Sequence, residues 1–135
     1  MSDQYDRAIL CIDDEKIILD SLKSQINEEF NSSFKIELAE SAEEGYEIID
    51  ELFGNGIRLL IIVSDWLMPN IKGDEFLANV HVKYPGIVKI MLTGQADQTA
   101  MDNAFKKAGL YKIIHKPWSK DELIDSIKEG IKLSN

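Results

Sequence analysis

The chain has 135 residues and a formal net charge of −9 at pH 7, from 24 acidic and 15 basic residues. That length fits one compact domain, and no apolar run approaches the ~20 residues that a membrane-spanning helix requires. The excess of acids argues against binding to nucleic-acid phosphates, and a single cysteine excludes an internal disulfide and a cysteine-rich zinc site. Since the N-terminal sequence MSDQYDRAIL lacks a secretory pattern, we expect one soluble, cytoplasmic domain over residues 1–135, with its core at about 7–133.

Short apolar runs rich in β-branched residues alternate with longer helical patterns along the chain. Strands are predicted at residues 8–12, 34–39, 59–64, 88–92 and 110–115. Helices are predicted at residues 14–30, 41–53, 73–83, 97–108 and 119–133. Alternating elements of these lengths predict an α/β fold, with a parallel sheet, right-handed crossovers and helices on both faces.

For three of the helices the sequence also predicts a buried face or the residues that cap the ends. The first should bury one face made of Ile17, Ile18, Leu22 and Ile26. Ser41 and Glu44 form a capping box that opens the second helix, which Gly54 and Gly56 end. In the fourth, one stripe is explained better by core packing than by a partner surface, and it comprises Met101, Ala104, Phe105 and Ala108.

Polar residues follow the apolar strands at the point where each strand ends. In open parallel sheets, reactive groups collect beyond the carboxyl ends of the strands. The residues found there are Asp13, Asp14, Asp65, Thr93 and Lys116. Asp65 is the most informative of them, because the run LLIIVS before it is typical of a central strand covered on both faces.

Carboxylates in one crevice repel each other by about 4 kcal/mol per pair at ~4 Å and an effective dielectric constant of ~20. Either some of the acids take up protons or a cation lies among them. Magnesium accepts carboxylates, a backbone carbonyl and water, whereas zinc prefers histidine and cysteine. His81 and His115 have no partner at ligand spacing, so magnesium is the predicted ion.

Lys116 would bring an ammonium group into the same crevice, and Thr93 a hydroxyl that donates hydrogen bonds. Together with the acids and a cation, these groups indicate phosphoryl transfer, since that reaction requires mainly positioning and charge neutralisation around the phosphoryl oxygens. Asp65 would then be the nucleophile, and attack by its carboxylate on phosphorus would give an aspartyl phosphate.

Four stretches at these strand ends resemble the receiver domains of two-component response regulators: CIDDE, VSDWLMPNIKGDEFL, MLTGQAD and HKPW. Each is weak alone, but their order at the ends of alternate elements is highly specific, and the resemblance covers essentially the full chain. It implies a doubly wound, flavodoxin-like sheet of five parallel strands in the order 2-1-3-4-5.

The resemblance also implies a role for each residue of the crevice. Asp65 matches the phosphoacceptor, Thr93 the switch hydroxyl that moves toward the phosphoryl group, and Lys116 the lysine that contacts it. The implied magnesium ligands are Asp14 directly, Asp13 mainly through water, Asp65, and the backbone carbonyl of Leu67. Met68, Pro69 and Gly73 match the loop after the third strand, and the Lys116–Pro117 peptide bond is expected to be cis.

One position departs from the family's pattern. Three residues before the lysine, receiver domains often have a tyrosine or phenylalanine that swings inward with the threonine, and this chain has Ile113 there. Tyr111 lies two residues earlier. An aromatic switch of the usual kind is therefore not expected, and the surface around the fourth helix and fifth strand would respond differently.

Each of these residues also has an ordinary structural explanation. Asp13 and Asp14 could cap the first helix, Asp65 and Thr93 could form turns, and Lys116 could be a solvated loop residue. Cys11 fits a packed strand residue better than a reactive thiol, and Trp66 and Trp118 fit local packing. The combination of Asp13, Asp14, Asp65 and Lys116 at one edge favours the functional interpretation.

The expected function is a phosphoacceptor switch rather than a turnover enzyme, limited to its own phosphorylation and slow dephosphorylation. Its implied partners are a sensor histidine kinase or phosphotransfer protein, a downstream effector domain or protein, and a second copy of the chain as a homodimer. No nucleic-acid or membrane partner is expected.

Three different functions compete with this one. A haloacid-dehalogenase-like phosphatase would have D-x-D around its nucleophile, where this chain has Asp65, Trp66 and Leu67. A flavin-binding module would have a phosphate loop in place of DDEKI, whose acids would repel a phosphate. A pseudo-receiver that is never phosphorylated is the third.

Overall fold

The computed structural model describes residues 6–31, 33–68, 71–94 and 98–134. The strands are β1 (Arg7–Ile12), β2 (Lys35–Ala39), β3 (Arg58–Asp65), β4 (Val88–Thr93) and β5 (Lys112–His115). The helices are α1 (Lys16–Phe30), α2 (Ala42–Gly54), α3 (Gly73–Lys83), α4 (Gln98–Ala108) and α5 (Lys120–Leu133). The alternation of strand and helix is as predicted, and the differences lie at element ends.

The five strands form one parallel sheet in the order β2-β1-β3-β4-β5, which confirms the doubly wound α/β fold. β3 lies at the centre and is buried from Leu59 to Asp65. Its end is level with those of its neighbours, because Ile12 of β1 is opposite Ser64 and Leu92 of β4 is opposite Asp65. The residues that follow these strands are therefore brought to one edge of the sheet.

Apolar side chains cover both faces of the sheet. On one face the strands pack against α2 and α3, mainly through Ile49, Leu52, Phe76, Leu77 and Val80. On the other face they pack against α1 and α5, through Leu19, Leu22, Ile26, Leu123 and Ile127. This two-sided covering explains the continuous apolar sequence of β3.

The predicted buried face of α1 is wrong at one position. Ile17 is 72% exposed, and Leu19 instead joins Leu22 and Ile26 in the core. The helix begins at Lys16 rather than at Asp14, because the Asp13 carboxylate accepts a hydrogen bond from the Glu15 N–H and turns the chain before the helix. Ile17 lies two residues from Leu19 and therefore on the opposite side of the helix.

The predicted core stripe of α4 is also wrong in part. Ala108 is buried, but Phe105 is 44% exposed, and the Ala104 side chain lies outside the described residues. The helix packs mainly beside α3 rather than across the strands, so only part of its apolar stripe reaches the core.

The predicted helix caps are confirmed with one variation. Ser41 accepts a hydrogen bond from the Glu44 N–H at 3.1 Å, whereas the Glu44 carboxylate accepts from the Glu40 N–H rather than from that of Ser41. In the part of the chain that the structure describes, no helix combines the length and apolarity needed to cross a bilayer.

Candidate functional site

Asp65 is the last residue of β3, and its side chain is almost fully buried. The backbone continues into a tight loop, because the Trp66 N–H donates to the Leu92 carbonyl at 2.9 Å and the Trp66 carbonyl accepts from the Gly73 N–H at 2.8 Å. These two bonds join Trp66, at the start of the loop, to β4 and to the first residue of α3. The path of the backbone directly after Asp65 is therefore restrained by both β4 and α3.

Asp13 and Asp14 follow β1, the neighbour of β3. Asp13 is fully buried, and its N–H donates to the Ala39 carbonyl of β2 at 3.1 Å. Asp14 is exposed at the mouth of the crevice. Asp13, Asp14 and Asp65 each offer one carboxylate oxygen within 4.8 Å of the others, so the structure brings the three predicted acids together.

Lys116 opposes two of these acids. Its Nζ lies 2.9 Å from Asp13 Oδ2 and 3.1 Å from Asp65 Oδ1. The backbone of Lys116 is held at the edge of the sheet, because its N–H donates to the Thr93 carbonyl at 2.9 Å. The Lys116–Pro117 peptide bond is cis, as the resemblance implied.

The electrostatics of the site follow from burial and crowding. Burial, and after it the nearby Asp13 carboxylate, raises the pKa of Asp65, and the Lys116 ammonium only partly offsets both effects. Burial by itself would lower the pKa of Lys116, but hydrogen bonds to Asp13 and Asp65 outweigh it and the pKa is raised. Among the described residues, the Lys116 ammonium pairs with two carboxyl groups of a cluster of three, so the acids of the cluster outnumber the cation beside them.

Two of the acids border an open depression of about 650 Å³, which is lined by Asp14, Glu15, Asp65, Leu67, Gly94 and Lys116. Among the described residues around it, the ligand atoms on offer are oxygens, with no histidine or cysteine in the acidic cluster. Hard oxygen donors in excess of the available positive charge fit magnesium better than zinc. The residues present are therefore compatible with the predicted ion.

The remaining predicted residues lie around this depression. Thr93 ends β4 and is buried, and it follows Leu92, the residue of β4 that lies opposite Asp65. Leu67 borders the depression with a side chain that is 43% exposed. Ile113 lies on β5 opposite Met91 and packs at the margin of the core that includes α2 and α3. Pro69 falls outside the described residues.

Two features of the site were not predicted. Glu15 lines the depression beside Asp14, and the only sequence signal for it was a third consecutive acid in CIDDE. The indole N–H of Trp118 donates to the Gln25 side-chain carbonyl at 2.9 Å and so joins the loop after Lys116 to α1. The two residues are 93 positions apart, and no local pattern pairs them.

Comparison with known proteins agrees with this geometry. A family model described as response regulator receiver domain matches residues 9–128. The hydrogenase transcriptional regulatory protein HoxA of Cupriavidus necator is 32% identical over 133 residues, which are 97% of this chain and 25% of HoxA. The chemotaxis protein CheY of Listeria monocytogenes is 27% identical over 124 residues, which are 92% of this chain and 98% of CheY.

A solved structure shows the same likeness. The CheY-like response regulator receiver domain protein of Methanospirillum hungatei superposes with a TM-score of 0.81 and 31% identity, covering 97% of each chain. The present chain spans about a quarter of the length of HoxA, so the similarity there concerns one part of a larger protein. With a family model matched over residues 9–128, the chain belongs to the receiver domains of response regulators, which are signalling modules of two-component systems.

Proposed function

We propose that Asp65 accepts a phosphoryl group from the phosphohistidine of a sensor histidine kinase or of a phosphotransfer protein. The observation that carries this proposal is the position of the Asp65 carboxylate, which ends a buried strand, borders an open depression and lies 3.1 Å from the Lys116 ammonium. A carboxylate with a fixed cation beside it and space in front of it can meet an incoming phosphoryl group.

In the proposed reaction, an Asp65 carboxylate oxygen attacks phosphorus as the P–N bond of the donor breaks. A new O–P bond forms, and the leaving nitrogen departs with a proton. The Lys116 ammonium, at 3.1 Å from Asp65 Oδ1, would be attracted to the phosphoryl oxygens, and the Thr93 hydroxyl would donate a hydrogen bond to one of them. These contacts would stabilise the negative charge on the oxygens of the transferred group.

The ion we propose for the site is Mg²⁺, held by Asp14, Asp65 and the Leu67 carbonyl, with Asp13 acting mainly through water. When bound, the ion would neutralise the oxygens of the transferred group and permit its approach to an acidic crevice. The close approach of three carboxyl groups, with Lys116 as the ammonium that pairs with two of them, supports this assignment.

We further propose that residues 1–135 form one receiver domain, with its core at about 7–133, that acts in the cytoplasm as a switch. Phosphorylation would shift a conformational equilibrium and so change contact with an effector domain, an effector protein or a second copy of the chain. Catalysis would be limited to its own phosphorylation and slow hydrolysis.

The test is incubation of the full chain with Mg²⁺ and phosphoramidate or acetyl phosphate, followed by intact-mass spectrometry. We expect wild-type protein to gain one acid-labile phosphoryl group, and Asp65→Asn to gain none. Omission of Mg²⁺ should suppress the gain. Wild-type protein that stays unmodified with every donor would instead indicate the pseudo-receiver.

A phosphatase and a flavin-binding module have less support. A haloacid-dehalogenase-like phosphatase requires a second acid two residues after the nucleophile, where this chain has Leu67. A flavin phosphate would meet Asp14 and Glu15 at the depression. The family to which the chain belongs favours neither function.

A further inference from the structure

The position of Lys116 depends on a short loop between β5 and α5. On the side of β4, the Lys116 N–H is held by the Thr93 carbonyl. On the other side the chain runs through Pro117 and Trp118 to Ser119, which caps α5 by accepting a hydrogen bond from the Glu122 N–H at 3.1 Å. A small rotation of this loop would move the ammonium away from Asp13 and Asp65.

Trp118 joins this loop to the helix that follows the acids. Its partly buried indole packs at the margin of the core between the sheet and α1 and α5, and its N–H donates to Gln25 Oε1 at 2.9 Å. Gln25 is on α1, which begins at Lys16, two residues after Asp14. The hydrogen bond therefore connects the segment that supplies the ammonium with the segment that supplies two of the acids.

Two ion pairs at the surface also join α1 to α5, in addition to the apolar packing of the two helices on the sheet. Lys120 pairs with Glu28, and Lys128 with Glu29 at 3.1 Å. Exposed pairs of this kind contribute little to positioning, because water and salt screen them and long side chains move. The Trp118–Gln25 bond is partly buried and directional, so it restrains the loop more strongly.

We propose that Trp118 and Gln25 are positioning residues for Lys116, and that their hydrogen bond holds the ammonium in the acidic cluster during phosphoryl acceptance. This inference rests on the proposed function. Neither residue contacts the cluster itself, and both act through the loop. Loss of the bond is expected to slow phosphorylation of Asp65 by about 3- to 10-fold, the range that corresponds to one hydrogen bond of ordinary net strength.

The experiment uses three variants of the full chain. The donor is phosphoramidate, because a small molecule does not need to bind α1, so a substitution of Gln25 cannot slow the reaction by weakening contact with the donor. Trp118→Phe keeps an aromatic ring but loses the N–H, and Gln25→Met keeps the length of the side chain but loses the acceptor. Gln25→Glu retains an oxygen acceptor. We expect the first two to show the slower rate, their double variant to be no slower than either, and Gln25→Glu to phosphorylate at close to the wild-type rate.

Lys128→Met is the matched control, since it breaks the pair with Glu29 between the same two helices without touching the loop. It should phosphorylate at the wild-type rate. Circular dichroism melting identifies any variant that has lost its fold. Wild-type rates in both Trp118→Phe and Gln25→Met, or additive losses in the double variant, would overturn the inference.

A second readout separates this inference from the proposed function. The rate at which an amine-acetylating reagent modifies Lys116 can be followed by peptide mass spectrometry in metal-free buffer, relative to exposed Lys23. We expect Trp118→Phe and Gln25→Met to raise Lys116 modification several-fold, and Gln25→Glu and Lys128→Met to leave it unchanged. Unchanged modification in all variants would refute the positioning role even if phosphorylation occurs. A rise would support it even if wild-type protein accepts no phosphoryl group.

Discussion

A Cβ atom on Gly73 would lie 1.9 Å from the carbonyl oxygen of Asp65. The first residue of α3 thus lies directly against the backbone of the proposed phosphoacceptor, and the Gly73 N–H donates to the Trp66 carbonyl next to it. The absence of a side chain at Gly73 is what allows the loop after β3 to close on the sheet.

Gly73→Ala is therefore expected to displace the Asp65 backbone, to lower the free energy of unfolding by about 1–3 kcal/mol and to weaken Mg²⁺ binding. Urea denaturation and calorimetric Mg²⁺ titration measure the two effects. Gly86→Ala is the control, because a Cβ there has open space and the variant should match wild type. Equal stabilities of the two alanine variants would contradict the close approach.

Removal of the Lys116 ammonium should destabilise the metal-free protein. Lys116→Met leaves the buried Asp13 and the nearly buried Asp65 without their ion-pair partner, so we expect a loss of about 2–3 kcal/mol in chelator at neutral pH. Lys128→Met, which breaks an exposed pair, should lose less than about 1 kcal/mol. Saturating Mg²⁺ should shrink the Lys116→Met deficit, because the ion stabilises the folded state by mass action and supplies positive charge to the same acids. A deficit that is unchanged by Mg²⁺ would place the ion elsewhere.

The pH dependence of the free energy of unfolding should show the raised pKa of Asp65. Since the pKa of Asp65 is raised in the folded state, the folded protein holds this proton at pH values where the unfolded chain has lost it. Stability in chelator should therefore fall as pH rises from the ordinary aspartate pKa of 3.8 through the raised value. Asp65→Asn should remove that decline and be more stable than wild type at neutral pH. Urea denaturation of wild type and Asp65→Asn across this pH range measures the difference. If the free energies of unfolding of the two proteins changed in parallel with pH, the raised pKa of Asp65 would be contradicted.

A buried lysine away from the site provides a separate test of the core. Lys89 on β4 is fully buried, its ammonium donates to the Ile87 carbonyl at 2.5 Å, and burial lowers its pKa from 10.5 to about 8. Between those pH values the unfolded chain binds the proton that the folded protein has released, so stability should rise with pH across this window. Lys89→Met should abolish the rise and increase stability at pH 7 by about 1–3 kcal/mol.

The difference in unfolding free energy between Lys89→Met and wild type should accordingly narrow from pH 8 to 10.5. Chemical denaturation at each pH measures it. A constant difference would mean that Lys89 keeps an ordinary pKa in the folded state.

Much of the site followed from the ends of the predicted strands. Asp13, Asp65 and Lys116 all follow short apolar runs, and parallel strands necessarily bring such positions to one edge. Periodicity alone did not supply the strand order, which the resemblance to receiver domains implied and the sheet confirms. The cis bond before Pro117 was likewise implied by the resemblance.

The two wrong predictions of burial and the contact that was not predicted each have a physical cause. Ile17 was predicted to be buried because it is apolar and adjacent to Ile18, but in the helix it lies opposite Leu19, which packs in the core instead. Phe105 looked buried because its stripe is apolar, but α4 packs beside α3. The Trp118–Gln25 bond joins distant segments, and side-chain pairs of that kind appear only when the chain is folded.

The central claim is that Asp65, among the three clustered acids, takes the phosphoryl group. Borohydride reduction of protein treated with phosphoramidate and Mg²⁺ converts an aspartyl phosphate to a primary alcohol, and tandem mass spectrometry of the peptides then locates the altered residue. We predict the alcohol at Asp65, with Asp13 and Asp14 unchanged. An alcohol at either of those acids, or none at any residue of a protein that has gained a phosphoryl group, would contradict the account.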